Sequence, residues 1–520
     1  MNVPPSSDPI GTTPYWTDTS RFPKFARLRE DLKVDVVVIG GGITGTTAAY
    51  LLRKAGATVA LLERDRFNLG ETGHTTAHLT YVTDSRFQDL VKNFGRDHAQ
   101  AAWDAGRAAI DQIHQIATDE KIECEFAWVP GYLHAAGKKG EDEAASLQED
   151  ARLAAELGFD ATFMEAVPFV KVPGIAFANQ AKFHPAKYLR GLLLALREQG
   201  GHIYENTEAS SIEVDPPTVK ANDRTIHCKY VIIATHVPLQ GATGTTSAAL
   251  FQTKLASYST YAIGARIKTG TVPEASFWDT AQPYFYLRID RHKGHDYAIL
   301  GGADHKTGQT PDPQRHYDAV EKRLRQLFPQ AMIDHRWSGQ VVETNDGLPF
   351  IGETAPHQFV ATGFSGNGMT FGTLAAMMAA DAFTGRRNPW TALFDVHRKK
   401  LLGGAWNYLK ENKDYPYYLA KQWLTKPGAT SLRGITRGEG KIVMVEGARV
   451  AAYRDDQGKL SMKSAVCPHM GCVVRWNGVE KTWDCPCHGS RFQATGEVMA
   501  AAGGKSAGRS PKMTSRPGSR

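Results

Sequence analysis

Cysteines, long apolar runs and late acidic residues are scarce in this sequence, and each shortage excludes something. Six cysteines among 520 residues cannot build the disulfide framework that replaces a core in small secreted domains. No stretch of about 18 uninterrupted apolar residues occurs, so no transmembrane segment is expected. The N-terminus, MNVPPSSDPIGTTPYW, has neither a basic nor an apolar signal region and no twin-arginine pair, so the expected location is cytoplasmic. Acidic residues stop at Glu497, while Lys505, Arg509, Lys512, Arg516 and Arg520 follow. Without those five cations the chain has 56 basic and 54 acidic residues, so the net charge of +7 belongs mostly to the tail. No stacking-plus-basic motif is present either, and no nucleic-acid partner is expected.

What is present is globular composition, with 42% hydrophobic and 22% charged residues. The length suggests two to four domains at roughly 100–200 residues each. Residues 1–30 are turn-rich and aromatic and read as an N-terminal arm on the surface. VDVVVIG (34–40) is a continuous apolar run, as in a strand buried on both faces, and a helical pattern and a second strand (58–63) follow it. Ser85 and Gln88 have capping-box spacing before a helical region running to about 118. Residues 140–157 read as an exposed charged helix, and 256–268 and 284–302 alternate as in an antiparallel sheet. A helical linker is expected over 396–430, then short strands with turns. Cys124 and Cys228 stand alone and read as small buried apolar residues.

Gly40, Gly42 and Gly45 form G-x-G-x-x-G after a strand and at the start of a helix, and Glu63 closes the next strand. That context, rather than the glycines alone, points to a dinucleotide. Gly40 permits a tight turn, Gly42 lets backbone approach a pyrophosphate, and Gly45 lets helix and strand pack closely. The helix N-terminus at Ile43 and Thr44 offers N–H groups to phosphate, and Glu63, followed by Arg64, would accept from a ribose. There is no second strand-GxGxxG-helix for a second dinucleotide.

VVVIGGGITG with LLERD, YVIIATH, WSGQVVETNDGLPFIG (337–352) and FVATGFSGNGMTFG (359–372) together resemble the FAD-dependent oxidoreductases of the D-amino-acid oxidase and glycine oxidase type. The resemblance covers roughly 34–395. It implies an α/β, Rossmann-like FAD-binding domain (about 31–100, 180–250 and 333–395) with an antiparallel-sheet substrate domain (about 250–332). It also implies that Gly366, Gly368, Met369 and Thr370 close over the flavin through backbone N–H groups, although Met369 could equally be core. GETGHTTAHLT (70–80) resembles the loop along the flavin and brings in Thr75 and Thr76. His74 and His78 are additions to the family's general pattern. They read as hydrogen-bonding residues of that loop, with a catalytic base (His78 the candidate) or a covalent flavin link as alternatives for the pair. Residues 284–305 resemble the sheet above the flavin and end in a Gly-Gly turn. On them Arg288 is a candidate carboxylate clamp, and Tyr286, Asp304 and His305 are further candidates. A surface arginine on a strand is the competing reading of Arg288.

Four cysteines fall between 467 and 487. Cys467-x-His469 and Cys485-x-x-His488 are separated by fifteen residues. Two thiolates on one iron and two imidazoles on the other suit a Rieske [2Fe-2S] centre. Structural zinc is the competing occupant of a Cys₂His₂ set, but it leaves Cys472 and Cys487 unexplained. The segment 431–498 resembles the Rieske domain, a small all-β fold. The resemblance implies Cys467, His469, Cys485 and His488 as ligands, and a Cys472–Cys487 disulfide tying the two loops. Ser490 is placed to donate to a sulfur. Phe492 stands where high-potential types have tyrosine, so an intermediate potential is expected. Beyond Met499 the chain leaves the Rieske pattern for a basic Gly/Ser/Pro-rich tail (499–520), which is expected to be disordered and puts closure of the domain in question.

A Rieske domain can also feed a mononuclear iron oxygenase, but the upstream region is flavoprotein-like and little chain follows His488, so that reading is set aside. The expected activity is oxidation of a small amine, amino acid or related CH donor at FAD, with electrons passing to the cluster. The expected partner is a one-electron carrier such as a ferredoxin or cytochrome. A reductase with electrons entering through the cluster, and a non-catalytic redox sensor, are the alternatives.

Overall fold

The computed structural model describes residues 13–137, 140–237, 254–398, 432–468, 472–487 and 489–500. Most of the expected linker, the tail beyond Ala500, His469 and His488 therefore lie outside the described residues.

Val36–Ile39 forms a strand whose four residues are all buried, as its unbroken apolar run requires. It is the centre of a six-stranded sheet ordered Phe350–Ala355, Gln358–Thr362, Tyr230–Ile233, Val36–Ile39, Val59–Leu62 and His202–Tyr204. All neighbours are parallel except the first two. Helix Ile43–Lys54 returns the chain to this sheet and ends on Arg53 and Lys54, cations that suit the negative end of its dipole. Helix Gly368–Thr384 packs beside it and stops at Gly385, which takes the left-handed conformation (φ +69°).

The second layer is a nine-stranded, mainly antiparallel sheet. Its longest members, Leu255–Ile267, His295–Lys306 and Met332–Thr344, run side by side in the order Met332–Thr344, Leu255–Ile267, His295–Lys306, Phe285–His292. The C-terminal module has two small sheets. One joins Glu439–Val445, Ala448–Arg454 and Leu460–Ser464; the other joins Arg475–Asn477, Thr482–Asp484, Arg491–Gln493 and Val498–Ala500. Among the described residues no helix is long and apolar enough to cross a membrane.

Several local expectations need correction. The N-terminal segment does not simply lie on the surface: Trp16 is 1% exposed and its indole N–H donates to Thr75 O (2.6 Å). The helical region after Ser85 is two helices, Phe87–Phe94 and Arg96–Asp119, separated at Gly95 with φ +85°. Ser85 does not cap it; the Gln88 N–H is instead satisfied by the Asp150 carboxylate (2.9 Å). Helix Gly140–Glu156 is not exposed all round, because Leu147, Ala151 and Ala154 bury one face at helical spacing. Gly301 and Gly302 are not a turn but lie within strand His295–Lys306. A Cβ on Gly301 would sit 2.2 Å from the Tyr286 ring, so its glycine makes room for that side chain. Finally, strand Val498–Ala500 pairs with Arg491–Gln493, so regular structure continues past the boundary expected at 498.

Candidate active site and cluster module

Between the two large sheets lies a cavity of about 330 Å³. One wall is the glycine turn. Gly40 has φ +105°, and a Cβ there would meet Ala234 O at 2.4 Å. A Cβ on Gly45 would lie 1.9 Å from Gly40 O, so helix and turn could not close together with any side chain at that position. Gly42 precedes helix Ile43–Lys54 and does not cap it; the Ile43 N–H donates to Thr72 Oγ1 (3.0 Å), and the N–H groups that follow it in the first turn are the ones offered to an anion. Glu63 accepts from the N–H groups of Gly41 (2.8 Å) and Asp65 (2.9 Å) and faces the same cavity. These are the features a dinucleotide needs, and they sit together.

A second wall comes from the antiparallel sheet and the loop at 84. Tyr284 donates to Asp84 Oδ1 (3.2 Å), and the Gly366 N–H donates to Asp84 Oδ2 (2.8 Å). The Tyr286 and Thr260 hydroxyls are 2.7 Å apart. Burial pushes the Asp304 carboxyl up to about 7, with the Thr260 hydroxyl opposing and the Asp84 charge adding. His78 packs edge-on against Tyr286 (5.7 Å), and burial, helped by the Arg288 charge, pushes its imidazole down to about 4, so it is neutral at pH 7.

The cluster module presents two loops of similar construction. The Cys467 N–H donates to Cys472 O (2.7 Å), and the Cys485 N–H donates to Ser490 O (2.7 Å). Each loop is thus pinched at its base five residues apart. Cys472 and Cys487 form a disulfide that ties one loop to the other. Cys467 and Cys485, both buried, stand at the first position of each loop and outside the disulfide. The second loop rests on the flavoprotein part. Gln340 Nε2 donates to Gly489 O (2.7 Å), and Gln309 Nε2 donates to Pro486 O (3.0 Å). Val498 and Met499 line the cavity itself, and Arg64 donates to Met499 O (2.9 Å).

Residues 35–382 match the FAD dependent oxidoreductase (DAO) family, and residues 428–506 match the Rieske [2Fe-2S] domain. The chain belongs to the FAD dependent oxidoreductase family. It is an FAD-dependent oxidoreductase with a C-terminal Rieske domain, and its cofactors are FAD and a Rieske [2Fe-2S] cluster. It is 34% identical to YhfW of Bacillus subtilis (strain 168), provisionally described as a Rieske 2Fe-2S iron-sulfur protein, over 93% of this chain and 95% of that one. It is 23% identical to gamma-glutamylputrescine oxidoreductase of Escherichia coli (strain K12), over 75% of this chain and 93% of that one. Glycine oxidase from Geobacillus kaustophilus shares its fold, with TM-score 0.58 and 19% identity over 71% of this chain and 99% of that one.

Most of the residues expected at FAD line the oxidoreductase's cavity: Gly40, Gly42, Ile43, Thr44, Glu63, Arg64, Thr75, Thr76, Gly366, Gly368 and Met369. Gly45 and Thr370 stand behind the wall; the Thr370 hydroxyl donates to Thr80 O (3.0 Å). The Gly366 N–H donates to Asp84 Oδ2 (2.8 Å). Tyr286, Asp304 and His78 line the cavity, but Arg288 and His305 do not. Arg288 is 1% exposed, and its guanidinium bonds Asp290 Oδ1 (2.9 Å) and Ala77 O (2.7 Å) under the Trp16 ring. Lys182 bonds the same carboxylate (2.5 Å). Burial works against the Asp290 charge, but Arg288 and Lys182 outweigh it and hold the carboxyl at about 2. Arg288 is therefore neither a surface residue nor open to a substrate carboxylate. His305 is bound between the Tyr261 hydroxyl (2.9 Å) and Lys306 O (2.8 Å).

Asp84, Tyr284, Thr260, His236 and Gln340 also line the cavity and were not singled out from the sequence. Strand periodicity could have placed Tyr284 on the face of Tyr286, two residues on. No local signal marks Asp84 or His236.

Proposed function

We propose that the oxidoreductase oxidises a small amine, amino acid or related CH donor and passes the electrons from FAD to its own cluster. In that chemistry the C–H bond beside a neutral amine nitrogen would break, and bound FAD would take up its electron pair as hydride. A C=N bond forms and the nitrogen's proton goes to water. Bound flavin supplies the conversion between this two-electron step and the one-electron chemistry of a Rieske centre. An external one-electron carrier, such as a ferredoxin or cytochrome, then drains the cluster.

The chain's own contributions follow from the walls described above. Gly40, Gly42, Ile43 and Thr44 would receive the pyrophosphate, Glu63 the ribose, and Thr75, Thr76, Gly368 and Met369 would flank the flavin. Gly45 would act from behind by letting helix and turn close. Cys467 and Cys485 would ligate one iron, and His469 and His488, outside the described residues, the other.

The observation that carries the reading is the seat of the second cluster loop. Gln340 lines the flavin cavity and holds Gly489, the neighbour of His488, by a direct hydrogen bond. A cluster held by that loop would sit close to the cavity it would drain. The test is anaerobic mixing of holoprotein with an amine and amino-acid panel. Bleaching of flavin absorbance followed by a reduced-cluster signal in electron paramagnetic resonance is expected. Bleaching without cluster reduction would overturn the electron route. Flavin reduction by reduced ferredoxin alone would show that electrons can enter through the cluster.

A further inference from the structure

The last strand of the cluster module reaches the wall of the flavin cavity, and the electron route through the second loop does not need it there. Val498 and Met499 line the cavity together with Glu63, Arg64 and Thr207. These residues adjoin one another. The Thr207 N–H donates to Glu63 O (2.9 Å), and the Arg64 guanidinium donates to Met499 O (2.9 Å). The ladder slips at this point. Phe492 pairs with Val498 and Arg491 with Ala500, so Met499 is an extra residue without a cross-strand partner. Val498 packs on the module's own core, whereas Met499 is 41% exposed. Among the described residues, Met499 is the one large exposed apolar residue that lines the cavity. A bulge that presents a thioether to water gains nothing; one that presents it to the face of an aromatic ring gains both buried area and a sulfur–ring contact.

We propose that Met499 covers the adenine end of FAD, so that the cofactor is bound jointly by the flavoprotein wall and by the last strand of the cluster module. The glycine turn takes the pyrophosphate and Glu63 the ribose, and the group that continues beyond that ribose is the adenine ring. Arg64 follows Glu63 in the chain and pins Met499 by its backbone oxygen, which leaves the Met499 side chain for the ring. The module then has two seats along one cavity. Gln340 and Gln309 hold its second loop, and Arg64 with the adenine holds its last strand. By linkage, whatever the strand adds to FAD affinity, bound FAD adds equally to the docking of the strand. The inference rests on the placement of the ribose at Glu63, and not on amine oxidation or on the direction of electron flow.

The test is methionine-oxidation footprinting of the cluster-loaded full chain, read by mass spectrometry, with FAD, ADP or FMN added back after the flavin is stripped. FAD and ADP are expected to slow oxidation of Met499 several-fold. FMN, which has no adenosine, is expected to leave it unchanged. Met444 and Met462, each 43% exposed and on the same module, are internal controls that should respond to none of the three. In Met499→Ala, FAD release is expected to be about three- to tenfold faster with cluster absorption unchanged, while Met462→Ala releases FAD at the normal rate. If Met499→Ala loses its cluster, the footprint of the unaltered chain decides. No protection of Met499 by FAD, or equal protection of all three methionines, would overturn the proposal. Protection by FMN and not by ADP would put the flavin end at Met499 and overturn the ribose placement with it. ADP binding that weakens in Glu63→Gln but never protects Met499 would leave the ribose placement standing and remove Met499 alone.

Discussion

The walls of the flavin cavity come from segments scattered between Ile39 and Met499, whereas the four clustered cysteines lie between Cys467 and Cys487. The first region holds its ligand by backbone N–H groups, small residues and a few carboxylates, each of which contributes modestly. The second offers a handful of ligands, every one of which a cluster needs. The difference predicts opposite responses to single substitutions. Cys485→Ser is expected to abolish the iron–sulfur absorption and the acid-labile sulfide while leaving FAD content near one per chain. Loss of both cofactors together would show that the loop seated on Gln340 is needed to build the cavity, and that the two regions are one unit.

Next in size is Arg288→Met. Removing one partner of a buried ion pair leaves Asp290 with Lys182 alone, at a cost of ~3–5 kcal/mol in folding stability. The expectation is a large drop in thermal midpoint, with substrate affinity nearly unchanged in whatever fraction folds. A variant of normal stability that loses amino-acid binding would restore Arg288 as a clamp. Gly45→Ala follows. A methyl group 1.9 Å from Gly40 O must push helix Ile43–Lys54 away from the turn, costing ~1–3 kcal/mol and lowering FAD occupancy. Gly434→Ala is the control, because a Cβ there meets nothing within 4 Å and the residue does not line the cavity.

The same contrast explains what the sequence made legible. The glycine turn, Glu63 and the cysteine loops are local: neighbours in the chain become neighbours in space, so spacing alone carries their geometry. The wall made by Asp84, Thr260, Tyr284, Tyr286 and Asp304 joins four segments: three placed by sheet register, and the loop at 84 beside them. A one-residue shift of that register would turn the tyrosines to the opposite face. Arg288 was misread for a related reason. Alternation in Phe285–His292 says which residues share a face, but not that Asp290 and Lys182 would already occupy the guanidinium on that face. Trp16 depends on a contact with Thr75, 59 residues away, that no periodicity announces.

Acidification separates the two regions more finely. The Asp304 carboxyl, held up to about 7, is charged above that pH and neutral below it. Asp84, Tyr284 and Tyr286 face it, and the tyrosines stay protonated throughout, since burial raises both well above 10. Burial also pushes the Asp84 carboxyl up, with the Gly366 N–H and the Tyr284 hydroxyl opposing. The affinity of an amine that stays protonated from pH 6 to 8 is therefore expected to fall as pH drops through 7, by about tenfold between 8 and 6. Asp304→Asn should flatten that slope. An unchanged slope in the variant would assign the dependence to another group.

The smallest expected effect lies at the join between the regions. Gln340 is 4% exposed, lines the cavity, and donates from Nε2 to Gly489 O of the cluster loop and to Thr307 Oγ1 (3.3 Å). Gln340→Leu keeps the volume but removes the donor to Gly489 O, at a cost of ~1 kcal/mol. The Gln309 bond to Pro486 and the disulfide remain, so the loop should stay folded and the cluster loaded. What should change is the seating of the loop. Flavin bleaching by substrate is expected at its normal rate, and the following cluster reduction is expected to slow a few-fold in stopped-flow measurement. If both phases slow together, Gln340 acts on the substrate side of the cavity. If neither does, the second loop holds its distance from the flavin through its other contacts, and the join is broader than one hydrogen bond.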